Sequence, residues 1–126
     1  MDRRLLFTPA LALGLLLTAA CGDVGSASGG QEISITAGER SGSRQFFEPQ
    51  EITVPAGARV TFVVKNVGSE DHELESKEAG IEEVVVPPGR ERKVTWTAPA
   101  QPGRYPAYCD LPGHRAMGME MTLIVK

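Results

Sequence analysis

The residues able to do chemistry are few, and most sit together near the C-terminus. Cys109-Asp110-Leu111-Pro112-Gly113-His114-Arg115-Ala116-Met117-Gly118-Met119 carries a thiol, an imidazole and two thioethers in one short stretch. The other histidine, His72, lies well upstream, and two His and two Cys are the whole stock of such ligands in the chain. Cys109 ends an expected strand, Pro112-Gly113 is a turn pair and Met119 begins the next strand, so the loop turns its donor atoms toward one point. Two imidazoles, a thiolate and a weak thioether form the ligand set of a mononuclear blue-copper site. Met117, Met119 and Met121 all stand near enough to supply the thioether.

Taken singly, each residue has a plainer reading: a lone Cys on a strand is usually a small core hydrophobe, and a lone His a surface or hydrogen-bonded residue. The combination argues otherwise, because both histidines and the only Cys of the folded part are used together. An unpaired thiol in an exported protein also needs a reason to persist in an oxidising compartment, and a metal provides one.

Export is read from the N-terminus. Residues 1–20 place Arg3 and Arg4 ahead of an apolar run from Leu5 to Leu17, followed by small residues, as in a secretory signal. Leu17-Thr18-Ala19-Ala20-Cys21 resembles the end of a bacterial lipoprotein signal, which implies a lipid on Cys21 and a membrane-anchored periplasmic or cell-surface protein. Thr18 stands where such signals usually carry Leu, and cleavage near Ala20 without lipidation is the alternative. Residues 21–30 are Gly/Ser-rich and read as a flexible tether, with an r.m.s. reach of about 16 Å.

The elements that must position the donors lie in residues 31–126, expected to form one folded domain. Glu32 to Thr36, Ile52 to Val54, Arg59 to Lys65, Val84 to Val86, Arg92 to Ala98, Gly103 to Cys109 and Met119 to Val125 read as strands, with turn signals about every ten residues. A helical turn is expected at most over Lys77 to Gly80. His72 falls in a loop after the strand ending at Lys65. The spacing suits an all-β sandwich or barrel of seven or eight strands.

With those motifs in place, the chain resembles the small blue copper proteins of the cupredoxin family, of plastocyanin or azurin type. The resemblance rests on Gly103-Arg104-Tyr105-Pro106-Ala107-Tyr108-Cys109 through Met119, with its Tyr before the Cys, its Pro-Gly-His turn and its Gly-Met pair leading into the last strand. Upstream, Phe47-Glu48-Pro49, Ile52-Thr53-Val54, Gly57, Val60-Thr61-Phe62 and Asn66 resemble the family as well. It implies a Greek-key β-sandwich and one type 1 copper held by His72, Cys109 and His114. It also makes Met119 the axial ligand, as the Met after the Gly of His-x-x-x-Gly-Met, with Met117 as the alternative. Met121 shares a strand face with Leu123 and Val125 and reads as core. One departure concerns Glu73, where many relatives have Asn or Ser: its N–H can reach the sulfur, and its side chain is expected to face solvent.

The implied function is one-electron transfer rather than catalysis. The partner, a cytochrome or a copper reductase or oxidase, would dock near His114 on an apolar patch of Leu111, Pro112, Ala116 and Met117, with Arg115 at its edge. A monomer is expected. Between Glu70 and Glu83 stand seven acidic residues and one Lys, either a solvated face or a docking surface for a basic partner. The Met residues also suit an alternative role as a periplasmic copper-binding or chaperone protein, and an N₂S set also accepts zinc.

Other classes are excluded by count. The length of 126 residues has no room for a Rossmann domain plus a substrate domain, or for a TIM barrel. A formal charge of −3 gives no reason to expect nucleic acid. A binuclear copper centre needs two bridging Cys, a trinuclear cluster needs several His pairs, and copper nitrite reduction needs a second copper domain. A Cys109–His114 nucleophilic pair would lack an evident substrate pocket in so small a chain.

Overall fold

Across residues 30–126, short β-branched runs are cut by Gly, Pro and Asn before a stable helix could form, and such runs bury their apolar side chains as strands. The computed structural model describes residues 30–126. The expected export signal, Cys21 and the tether up to residue 29 lie outside the described residues. Nine strands follow in order: β1 (Gln31–Arg40), β2 (Arg44–Glu48), β3 (Glu51–Val54), β4 (Arg59–Asn66), β5 (His72–Ser76), β6 (Ile81–Val86), β7 (Glu91–Thr97), β8 (Gly103–Tyr108) and β9 (Glu120–Val125). Among the described residues no helix is long and apolar enough to cross a membrane.

The strands form two mixed sheets, one ordered β2-β1-β4-β7 and the other β3-β9-β8-β5-β6. β1 runs parallel to β4, and β3 parallel to β9, while the other pairs are antiparallel. Alternate side chains of each sheet point inward. Ile35, Phe62 and Val64 from the first meet Leu74, Met121 and Leu123 from the second in one apolar cluster. Trp96 on β7 joins the layers: its ring stacks on Phe62 at 5.4 Å, and its Nε1–H donates to Ala79 O at 2.8 Å in the turn between β5 and β6.

All seven expected strands are present, and the expected helical turn over 77–80 is a hydrogen-bonded turn between β5 and β6. Two further strands bring the number to nine. β2 escapes the apolar-alternation reading because its inward positions are Gln45 and Phe47, a polar residue with an apolar one. β5 escapes it because His72-Glu73-Leu74-Glu75-Ser76 reads as polar, yet all five residues are buried. His72 therefore stands at the start of a strand between two others, a more rigid mount than the loop expected for it.

Candidate metal centre

The C-terminal loop is built to aim its side chains inward. After Cys109 the chain coils through successive tight turns, with His114 N donating to Leu111 O at 3.0 Å, Met117 N to Gly113 O at 3.0 Å and Gly118 N to Arg115 O at 3.0 Å. Gly113 and Gly118 have φ of 84° and 104°, conformations that L side chains strain to adopt. At Gly118 a Cβ would also press on Gln45 O at 3.2 Å, so β2 passes directly under the loop. The loop closes on itself where Cys109 N donates to Met119 O and Met119 N to His114 O, both at 3.1 Å.

This closure delivers Cys109 and His114 to the same place as His72 from β5. One donor atom from each of the three lies within 4.8 Å of the others, and all three residues are buried. Cys109 Sγ is 3.4 Å from His114 Nδ1, and the two imidazoles meet edge to face with centroids 5.3 Å apart. Each outer nitrogen faces a carboxylate, hydrogen-bonded at His72 and more distant at His114. His72 Nε2 lies 2.8 Å from Glu39 Oε1, and His114 Nε2 lies 3.4 Å from Glu70 Oε2. His72 Nδ1 by contrast is buried with no hydrogen-bond partner. An orphaned buried ring nitrogen in a residue grouped with a thiol and a second imidazole is the feature expected of a metal ligand. The donor set, two nitrogens and a sulfur from three buried residues, fits one type 1 copper.

Electrostatics favour a metal in the same direction. Burial pushes the Cys109 thiol up, against backbone N–H groups of Glu73 and Leu111 that favour the thiolate. A bound cation removes that resistance, since a coordinating thiol is deprotonated outright. Burial also pushes His72 down, only partly offset by Glu39, which keeps the imidazole neutral and able to donate a lone pair.

Met119 is fully buried just before β9, with its backbone fastened to both Cys109 and His114. Met117 is half-buried in the loop, and its carbonyl takes the N–H of Gln45 at 3.1 Å. Met121 faces the core, as expected from its strand position. Around His114, itself 9% exposed, Pro112 and Ala116 are exposed and Leu111 and Met117 half-buried. Arg115 is engaged: it pairs with Glu120 and lies over the Tyr108 ring at 3.9 Å, so its charge is largely neutralised at the edge of this patch.

The expectation for Glu73 is corrected. Its side chain is buried, and Oε1 accepts the N–H of Asp110 at 2.8 Å, tying β5 to the residue after the thiol. Burial pushes this carboxyl up, and the bond from Asp110 opposes it. Glu75 is buried too and pairs with Lys77 at 3.0 Å. The acidic run is therefore not one solvated face; its exposed members are Glu70, Asp71, Glu78, Glu82 and Glu83.

Two residues of the centre carry no sequence signal. Glu39 belongs to a polar stretch at the end of β1 and reads as surface. Gln45, buried on β2, donates to Glu70 Oε2 at 3.0 Å and is invisible for the reason β2 is.

Residues 10–125 match the family model of the cupredoxin-like domain. No curated protein matches the chain significantly. Among solved structures, auracyanin from the photosynthetic bacterium Roseiflexus castenholzii is 25% identical, covering 76% of this chain and 97% of its own, with a TM-score of 0.64. Auracyanin A of Chloroflexus aurantiacus, described as a "blue" copper protein, is 22% identical over 76% of this chain and 100% of its own, with a TM-score of 0.57. A copper-containing nitrite reductase from Thermus scotoductus shares the fold at 17% identity and a TM-score of 0.66, over 76% of this chain but 31% of its own. Solved structures of this fold thus include copper enzymes as well as a small blue copper protein.

Proposed function

Since the chain belongs to the cupredoxin-like family, we propose that it is an exported type 1 copper protein carrying single electrons between redox partners, with His72, Cys109, His114 and Met119 as ligands. The observation that supports this most is the buried His72 Nδ1 without a hydrogen-bond partner, on a ring that offers one nitrogen within 4.8 Å of donor atoms of Cys109 and His114. When bound, copper supplies a Cu(II)/Cu(I) couple. The chain's part is to keep the ligand geometry nearly the same in both states, which keeps reorganisation small. The sandwich would do this by taking His72 from a strand with a neighbour on each side and the other ligands from a loop closed by its own hydrogen bonds.

Electrons would enter and leave through His114, the ligand nearest the surface, within the patch of Leu111, Pro112, Ala116 and Met117. Contact there with a cytochrome or a copper oxidase or reductase would be transient, as electron-transfer encounters generally are. Lipidation of Cys21 would hold the domain near the membrane where such partners work. A copper store or chaperone is the second reading, drawn from the Met residues. It is weakened by Met121, whose side chain is taken up by the core.

The test is the visible absorption and EPR spectrum of the purified protein after addition of Cu(II). An intense thiolate-to-copper band with narrow copper hyperfine splitting is expected, with loss of the band in Cys109→Ser. A colourless protein with ordinary square-planar signals would sink the proposal. Reversible cycling with copper retained in both states separates a carrier from a store.

A further inference from the structure

The least expected feature of the centre is the carboxylate behind His72. Glu39 comes from the end of β1, 33 residues away in sequence. Both of its oxygens are used: Oε1 meets His72 Nε2 at 2.8 Å and Glu70 N at 3.0 Å, and Oε2 takes Ser69 N at 2.9 Å. The loop before His72 is shaped around this group. Gly68 lies so close that a Cβ there would overlap both oxygens and the carboxyl carbon of Glu39. Asn66 fixes the same loop by accepting Gly68 N at 2.8 Å and donating to Glu70 O at 2.7 Å. A carboxylate seated on two backbone N–H groups, in a socket only Gly can line, is held there by design of the local chain.

We propose that Glu39 is a positioning residue of the metal centre, which fixes the proton of His72 on Nε2, turns Nδ1 toward the metal and lowers the reduction potential. The inference rests on the copper reading above. An imidazole whose N–H is bonded to an anion is a stronger donor than one bonded to a neutral acceptor. A stronger donor stabilises Cu(II) more than Cu(I), because the higher charge gains more from added electron density. Glu70 at His114 Nε2 sits farther away, at 3.4 Å, and is the more exposed, so its influence is the weaker of the two.

Three variants of the copper-loaded protein test this, with spectroelectrochemical potential as the readout. Glu39→Gln keeps an acceptor for His72 but removes the charge. It should shift the Cu(II)/Cu(I) affinity ratio roughly tenfold toward Cu(I), which for a one-electron couple is a rise of about 59 mV. Gly68→Ala changes no charge, yet it should raise the potential too, by evicting the carboxylate from its socket. Trp96→Phe, remote from the centre, should lower stability and leave the potential alone. Independently, ¹⁵N NMR of the metal-free wild type should show His72 protonated at Nε2.

A potential unchanged in Glu39→Gln while the blue band persists overturns the inference, as does a metal-free His72 protonated at Nδ1. The NMR result stands even where a variant fails to fold. Absence of a blue band in the wild type is a different failure, that of the copper reading itself.

Discussion

Asn66 offers the sharpest test of how the loop before His72 is held. It is 1% exposed at the end of β4, and its side chain makes three hydrogen bonds: Nδ2 donates to Glu70 O at 2.7 Å and Val86 O at 2.8 Å, and Oδ1 accepts Gly68 N at 2.8 Å. Its backbone bonds, N to Arg90 O and O from Gly89 N, survive truncation of the side chain. Asn66→Ala therefore isolates the amide. Three bonds at about 1 kcal/mol each amount to roughly 3 kcal/mol. For a domain of this size 1 kcal/mol moves Tm by about 4–8 °C, so a fall of roughly 12–24 °C is expected. Thermal unfolding of the metal-free protein, followed by circular dichroism, measures it. Asn66→Asp keeps the acceptor for Gly68 but turns a carboxylate on two carbonyls, and should do at least as much damage. A fall of less than about 4 °C in the Ala variant, below what the loss of even one bond of about 1 kcal/mol gives, would refute the view that this amide organises the loop.

The remaining predictions concern the axial ligand, the sheet contact and docking. Met119→Leu, which replaces a thioether with an apolar group of similar size, should raise the reduction potential and alter the visible spectrum, whereas Met117→Leu should change neither; the reverse pattern would assign Met117. Trp96→Phe loses the buried bond to Ala79 O and should cost about 1–3 kcal/mol in denaturant unfolding while sparing the blue band. If Glu70, Asp71 and their exposed acidic neighbours steer a basic partner, stopped-flow transfer rates to such a partner should fall steeply as salt rises, and a flat dependence would eliminate that docking surface.

How much was legible depended on whether residue type or residue placement carried the information. Cys109 and His114 share one loop with a turn pair between them, so their type and spacing pointed to one site, and His72 was the sole histidine left to join them. The seven expected strands advertise themselves by apolar alternation or by β-branched runs that end at turn residues. β5 does not, because all its residues but Leu74 are polar, and they are buried with the groups they bind: His72 faces the centre, Glu73 holds Asp110 N, and Ser76 Oγ donates to Pro106 O at 2.6 Å. The same blindness made Glu73 look like a surface residue. Glu39 could be found only in three dimensions, since nothing in Ala37-Gly38-Glu39-Arg40 distinguishes a carboxylate aimed at a histidine from one aimed at water.

The join between β5 and β8 has a mechanical meaning. The two strands share a single bridge, Glu75 with Tyr108, whereas β8 and β9 are laddered along six residue pairs. Most of the fastening across this join falls to side chains, those of Glu73 and Ser76. With the ladder interrupted there, the N–H of Glu73 is directed to sulfur instead of to a neighbouring carbonyl. His72 lies on one side of the join, Cys109 and His114 on the other. An ion gripped by all three would be a rivet through the least-laddered line of the second sheet, and its removal should let that line open first, with β5 amides exchanging ahead of those of β8 and β9.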